Sequence, residues 1–192
     1  MSDLELIGPV VRLQVQRRKI KIKGEGYHPE WIANVDRAAL VGGGMLGWDG
    51  DSWVMDVHHP LYPGGKGRPT RAVSVGFTSH YQAMEGRFGA LADGVAGENL
   101  IVQTSRSYNP DDVAAGLAVR TAEGDIDLVE PAVARPCPEF TSHLLGLGTV
   151  ADKEAIADDI AFVDEGIRGY VAAVGSGPMY VSIGDEVYRR TG

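Results

Sequence analysis

Cys137 is the only thiol in this 192-residue chain, and it sits in Ala134-Arg135-Pro136-Cys137-Pro138-Glu139-Phe140. A lone thiol has no internal disulfide partner. It is either a buried small hydrophobe or a reactive, ligating group. Arg135 is a permanent cation two residues away and favours the thiolate if both side chains point the same way. Pro136 and Pro138 stiffen the backbone on both sides and remove two N–H donors. A regular strand interior does not tolerate that spacing, so the thiol is expected in a rigid loop at a strand end.

Other residues invite chemistry with less support. Gly64-Gly65-Lys66-Gly67-Arg68-Pro69-Thr70 is rich in glycine and cations, and its amides with Lys66 suit a phosphate. The nucleotide phosphate-loop spacing fails, because it needs glycine at position 60, which is Pro60. No Gly-x-Gly-x-x-Gly follows a strand and opens a helix, so no dinucleotide fold is indicated. His58 and His59 are adjacent, so on an extended segment they point to opposite faces and do not readily share one metal. His28, His80 and His143 show no zinc-ligand spacing. A cysteine-protease arrangement needs His59, His80 or His143 beside Cys137, and none carries a local signature of that chemistry.

The elements that must position these groups read mainly as short strands. Val10–Gln16 alternates after an apolar start, and Lys19–Lys23 alternates until Gly24. Gly42-Gly43-Gly44 and Gly47 mark a loop, and Ser52–Val57 is a strand candidate. Ala72–Phe77 reads as a buried strand, with Ser79 as the cap of a helix running to Phe88. Tyr81, Met84 and Phe88 form its apolar stripe, which is read as core. Asn99–Gln103 reads as a strand. Leu117–Arg120 and Ile126–Val129 form a hairpin whose second arm runs into the Cys137 loop. Val150–Val163, capped by Thr149, is the other clear helix. Tyr170–Val174, Tyr180–Ile183 and Val187-Tyr188 are the last strands. Many strands with two clear helices predict a closed or nearly closed sheet.

Bulk properties bound the function. Hydrophobic content of 44% and charged content of 23% fit an ordinary soluble globule. The length suits one domain, 1–192. The net charge of −8 argues against a nucleic-acid partner. No apolar run approaches the ~20 residues of a membrane helix, and Met1-Ser2-Asp3-Leu4-Glu5 lacks a signal-peptide pattern. With one unpaired cysteine, these features predict a cytoplasmic protein. The basic run 12–23 and the acidic run 152–165 read as solvated faces.

Taken in order, the segments resemble the MOSC domain, the family named for the C-terminal domain of molybdenum cofactor sulfurases. Gly8–Val15 is similar to its opening strand, and Gly65–Ser74 to its loop into a buried strand. Gly94-Val95-Ala96-Gly97-Glu98-Asn99-Leu100 resembles its Gly-x-x-Gly-Glu-Asn-Leu signature, and Arg135-Pro136-Cys137 its cysteine motif. Arg168–Val174 and Gly177–Val187 resemble its closing strands. The chain departs from better-studied members at Pro63-Gly64-Gly65-Lys66 and in an insertion at Asp111–Ala115.

The resemblance implies a mainly β fold, a β-barrel-like sheet with a few peripheral helices, as a single MOSC domain. It implies two chemistries at the thiolate. In one, Cys137 is a sulfur carrier, loaded as a persulfide by a partner cysteine desulfurase that holds pyridoxal phosphate. In the other, Cys137 binds molybdenum in the molybdenum cofactor (molybdopterin), for reduction of N-hydroxylated compounds with an electron-transfer partner. A non-catalytic binding module that keeps the fold is a third reading. Cys137 and Arg135 are then the catalytic candidates. Gly97, Glu98 and Asn99 are candidate cofactor contacts, with Asn99 presenting its amide to the pterin. Arg71, Lys66 and Arg135 are candidate phosphate or pterin ligands. Glu98 either orients Arg135 or caps backbone amides. Oligomeric state is left open.

Overall fold

The computed structural model describes residues 3–41, 43–65, 68–177 and 180–191. β1 (Asp3–Gln16) is followed by two short strands, β2 (Lys21–Ile22) and β3 (Gly26–Tyr27). β4 (Ile32–Val35), β5 (Arg37–Val41), β6 (Gly44–Trp48) and β7 (Trp53–Met55) come next. β8 (Val73–Phe77) runs into helix α1 (Thr78–Phe88), then β9 (Leu100–Val102) and α2 (Pro110–Val113). The hairpin β10 (Leu117–Thr121) and β11 (Gly124–Val133) precedes α3 (Pro138–Leu144) and α4 (Ala157–Asp164). β12 (Tyr170–Val174), β13 (Tyr180–Ser182) and β14 (Glu186–Thr191) complete the order.

Seven strands close into a barrel in the order β14-β10-β11-β12-β8-β9-β1, and β1 returns to β14. Every neighbouring pair is antiparallel except β8 and β9, which α1 connects as a crossover. β1 is long enough to serve three neighbours, because bulges at Leu6/Gly8 and Val10/Arg12 redirect it. Its first half pairs with β14, and its second half pairs with β9 and β4. Val10, Leu13 and Val15 point into the barrel with Val75, Phe77, Leu117, Val119 and Leu128. A four-stranded sheet, β13-β5-β6-β7, packs beside the barrel.

A second apolar cluster lies outside the barrel and carries the helices. Tyr81 and Met84 from α1 meet Phe140 and Leu144 from α3, Val163 from α4, and Tyr27 from β3. Cys137 packs against this cluster. Full burial of a side chain such as Phe140 contributes roughly 1.5–3 kcal/mol.

The mainly β expectation is met, with differences in detail that include three unexpected elements, β4, β5 and α3. Gly44–Trp48 is a strand and not part of a glycine loop. Gly47 suits that strand because a Cβ there would lie 2.7 Å from Val35 and 2.8 Å from Val15, so the absent side chain admits their methyls. Of the alternating Lys19–Lys23 run, Lys21–Ile22 alone is strand. The helix expected over Val150–Val163 is shorter, because Asp152 accepts the Glu154 N–H at 2.8 Å and Ser142 accepts the Ala151 N–H at 2.9 Å. Those local bonds compete with helical pairing. α1 starts at Thr78 without a side-chain cap of its own, and the Thr104 hydroxyl accepts the Ser79 N–H at 3.2 Å. Ser79 is therefore inside the helix.

Among the described residues no helix is long and apolar enough to cross a membrane.

Candidate functional site

Cys137 lies just beyond the end of β11 and forms the N-cap of α3, with extended backbone angles. Pro138 takes the first helical position, where its missing N–H has no intrahelical role. The Cys137 carbonyl accepts the Thr141 N–H at 3.0 Å, and the Ala134 N–H donates to the Gly169 carbonyl at 3.0 Å. The two prolines thus hold the thiol in a stiff strand-to-helix connection, as their spacing predicts.

The thiol is half-buried and faces an open cleft of roughly 520 Å³. Arg135 and Lys153 supply cations to its lining, Asp164 supplies an anion, and Pro136, Pro138 and Ile160 supply apolar wall. Arg135 is exposed, and its side chain makes no hydrogen bond or ion pair among the described residues.

The guanidinium that reaches the sulfur belongs to Arg168. Its Nη1 lies 4.0 Å from the Cys137 Sγ and donates to the Arg135 carbonyl at 2.8 Å. Its plane sits over the Phe140 ring, with the guanidinium carbon 4.5 Å from the ring centroid. Only 9% of Arg168 is exposed, yet no carboxylate among the described residues lies within ion-pairing distance. Arginine is seldom buried without a partner, so this cation is unusual. Sequence spacing missed it because it lies 31 residues from Cys137. Its local signal was a charge framed by Gly166 and Gly169, both at positive φ, ahead of β12. A Cβ at Gly169 would lie 2.5 Å from the Val75 carbonyl oxygen, so the chain turns close against the barrel there.

On the other side of the thiol stands Glu139, buried near the start of α3. Desolvation pushes its pKa up, but its own amide, the Cys137 thiol, the Gly24 N–H at 3.4 Å and Lys21 outweigh that, and the net direction is down. Tyr27 packs on Phe140 at 5.1 Å and on His143 at 5.2 Å, and its hydroxyl donates to the Val95 carbonyl at 2.7 Å. Burial raises the Tyr27 pKa and lowers that of His143.

The Gly97-Glu98-Asn99 turn is built differently. The Asn99 Oδ1 accepts from the Ser74 N–H at 3.0 Å and the Ser74 hydroxyl at 2.9 Å. Its Nδ2 donates to the Gln14 carbonyl at 3.2 Å and to the Asp56 Oδ2 at 3.0 Å. All four hydrogen-bonding positions of the amide are used inside the protein. Gly97 gives its carbonyl to the Gln16 side chain at 2.8 Å, and Gln14 likewise holds the Gly94 carbonyl at 2.8 Å. A Cβ on Gly97 would lie 2.4 Å from Ile20. Glu98 is 3% exposed and takes the Tyr81 hydroxyl on Oε2 at 2.6 Å, while Oε1 has no hydrogen-bond partner among the described residues. Desolvation pushes its pKa up to about 7, against smaller opposing effects from Tyr81, its own amide, Arg168 and Arg12.

Arg71 is exposed at the end of the 3-10 turn Pro69–Arg71 that feeds β8, and it does not line the Cys137 cleft. Lys66 lies outside the described residues. His58 and His59 lie in a turn after β7, not on an extended segment, because the His59 N–H donates to the Asp56 carbonyl at 3.0 Å, and their rings make separate contacts. His58 is half-exposed with its Nδ1 2.9 Å from the buried Asp56. His59 is buried, accepts the Leu61 N–H on Nδ1 and places Nε2 3.1 Å from the Val41 carbonyl. That pairing puts the ring proton on Nε2. Among the described residues no group of three or more His, Cys, Asp or Glu is placed to hold a metal ion.

No protein-family model and no curated protein sequence matches the chain. Solved structures do. The YuaD protein from Bacillus subtilis superposes with a TM-score of 0.58 at 15% identity, covering 100% of both chains. A protein described only as hypothetical gives a TM-score of 0.58 at 18% identity over 97% of this chain and 70% of its own. The YiiM protein from Escherichia coli gives 0.50 at 19% identity over 83% of this chain and 65% of its own. These likenesses support a MOSC-like fold. At such identities they speak to the fold alone.

Proposed function

We propose that this MOSC-like domain handles sulfur through Cys137, as a sulfurtransferase-like carrier. The observation that carries the reading is the half-buried thiol at an open cleft, with the buried Arg168 guanidinium 4.0 Å from its sulfur and no carboxylate paired to that cation. A persulfide carrier needs an accessible sulfur on a stiff support and a nearby positive charge that favours the anionic nucleophile. Arg168 supplies the charge, and the Pro136-Cys137-Pro138 turn supplies the support. The sulfur would come from a partner desulfurase that holds pyridoxal phosphate.

The molybdenum-cofactor reading draws on fewer residues. Of the groups expected to hold the pterin, Arg135 alone lines the Cys137 cleft among the described residues. Asn99, Gly97 and Glu98 direct their polar atoms into the protein, and Arg71 lies in another turn. That donor set does not fit the group as arranged. In a non-catalytic module Arg168 would serve to hold the Arg135 carbonyl and pack on Phe140, which leaves the open cleft beside the thiol without a use.

The test is direct. The protein is mixed with a cysteine desulfurase and free cysteine and weighed intact. A one-sulfur adduct is expected on the wild type and absent from Cys137→Ser. A wild type that gains no sulfur sinks the reading.

A further inference from the structure

We infer that the small molecule exchanging sulfur with Cys137 in the cleft is an anion, a thiol carrying a carboxylate or a phosphate group. The inference rests on the sulfur-carrier reading and specifies the acceptor it lacks.

The protein as a whole has a net charge of −8, so its far field repels anions. The cleft reverses that sign. Arg135 and Lys153 line it, with Asp164 as the one lining carboxylate among the described residues, and the buried Arg168 lies behind the lining, 4.0 Å from the sulfur. None of these three cations has an ion pair among the described residues. Other cations, among them Arg18, Arg37 and Arg71, also have no ion pair among the described residues, so what distinguishes Arg135, Lys153 and Arg168 is their convergence on one thiol. Three cations against two carboxylates, Asp164 in the lining and Glu139 beside the thiol, leave a net positive local charge that low-dielectric walls strengthen. Val133, Pro136, Pro138 and Ile160 provide those walls. The volume of roughly 520 Å³ is that of a small-molecule site.

The chemistry balances without an oxidant or reductant. The acceptor thiolate attacks the outer sulfur of the Cys137 persulfide. A new S–S bond forms on the acceptor, and the S–S bond to Cys137 breaks with its electron pair on the Cys137 sulfur. The products are the acceptor persulfide and the Cys137 thiolate, whose charge then faces Arg168. Arg168 is therefore a positioning group for the leaving sulfur, and Arg135 with Lys153 receives the acceptor's own anionic group.

Alkylation of Cys137 by iodoacetate and by iodoacetamide, at one pH and low salt, reads the sign of the cleft without any sulfur transfer. The ratio of the two rates on the folded protein is compared with the ratio on the urea-unfolded chain. The folded ratio is expected to favour the anion by about tenfold more, and high salt should erode it. Arg135→Ala/Lys153→Ala, at two exposed positions, should return most of the preference to the unfolded value. Arg168→Lys should retain more of it than Arg168→Gln. Equal ratios in folded and unfolded protein overturn the inference, as does a preference that the double variant leaves intact. A missing one-sulfur adduct alongside an intact anion preference would sink the carrier reading and leave the cleft an anion site.

Discussion

The Gly97-Glu98-Asn99 turn and the Cys137 corner are the two places where the chain most resembles a functional motif, and they use their polar groups in opposite ways. The turn is closed. Asn99 makes four hydrogen bonds to Ser74, Gln14 and Asp56, and Gln14 and Gln16 hold the Gly94 and Gly97 carbonyls. The corner is open. Its thiol is half-buried and its two nearest formal charges, Arg168 and Glu139, are not paired with opposite charges. A distinctive sequence motif can therefore act as a clamp between strands, while the charged surroundings of the thiol are assembled from residues that no local motif announces.

This contrast can be broken by mutation. Asn99→Ala is expected to have the largest effect on stability, about 3–5 kcal/mol, because it removes four hydrogen bonds at once and leaves the Ser74 N–H and hydroxyl without their side-chain acceptor. Urea unfolding measures it, and a loss below about 1 kcal/mol would show that the turn is not a clamp.

Glu98→Gln should be next, with a dependence on pH. The folded carboxyl titrates at about 7 against a reference of 4.5, so the folded state holds the proton more tightly. Below 4.5 the group is neutral in both states and its burial carries no charge cost. The cost grows as pH rises through the folded pKa and is complete above it. The variant should gain on the wild type by about 3 kcal/mol between those limits. Melts across that range test it, and parallel curves for the two proteins would remove Glu98 as the cause.

Cys137→Ser should change stability least, by under about 1 kcal/mol, since the side chain is only half-buried at the margin of the outer apolar cluster and a serine hydroxyl can keep its polar contacts with Glu139 and Arg168. A Cys137→Ser loss as large as that of Asn99→Ala would erase the distinction between the two regions.

Much of the barrel was legible. The hairpin expected from Leu117–Arg120 and Ile126–Val129, the buried strand at Ala72–Phe77 and the Tyr81, Met84 and Phe88 stripe follow from periodicity, and they are observed as β10 with β11, as β8 and as the apolar face of α1. Glycine misled at Gly44 and Gly47, because a residue that marks turns also serves where sheets approach within a side chain's width. The helix after Cys137 was missed, although Pro138 at its first position and Glu139 in its first turn are start signals. The cation beside the thiol was assigned by proximity to Arg135. Arg168 arrives through the pairing of β11 with β12, which brings Val133 opposite Tyr170. Long-range register of that kind leaves no mark on a local window.

The pairing of β1 with β14 bears on the order in which this protein assembles. Asp3 lies opposite Thr191, and Leu6 opposite Tyr188. During synthesis the first strand emerges long before its partner, so the barrel seam waits for nearly every intervening residue. Arg168 also emerges after Cys137, which makes the thiol's charged surroundings a late product of folding. A nascent chain therefore exposes Cys137 as an ordinary thiol first and acquires its cationic neighbour only as β12 docks.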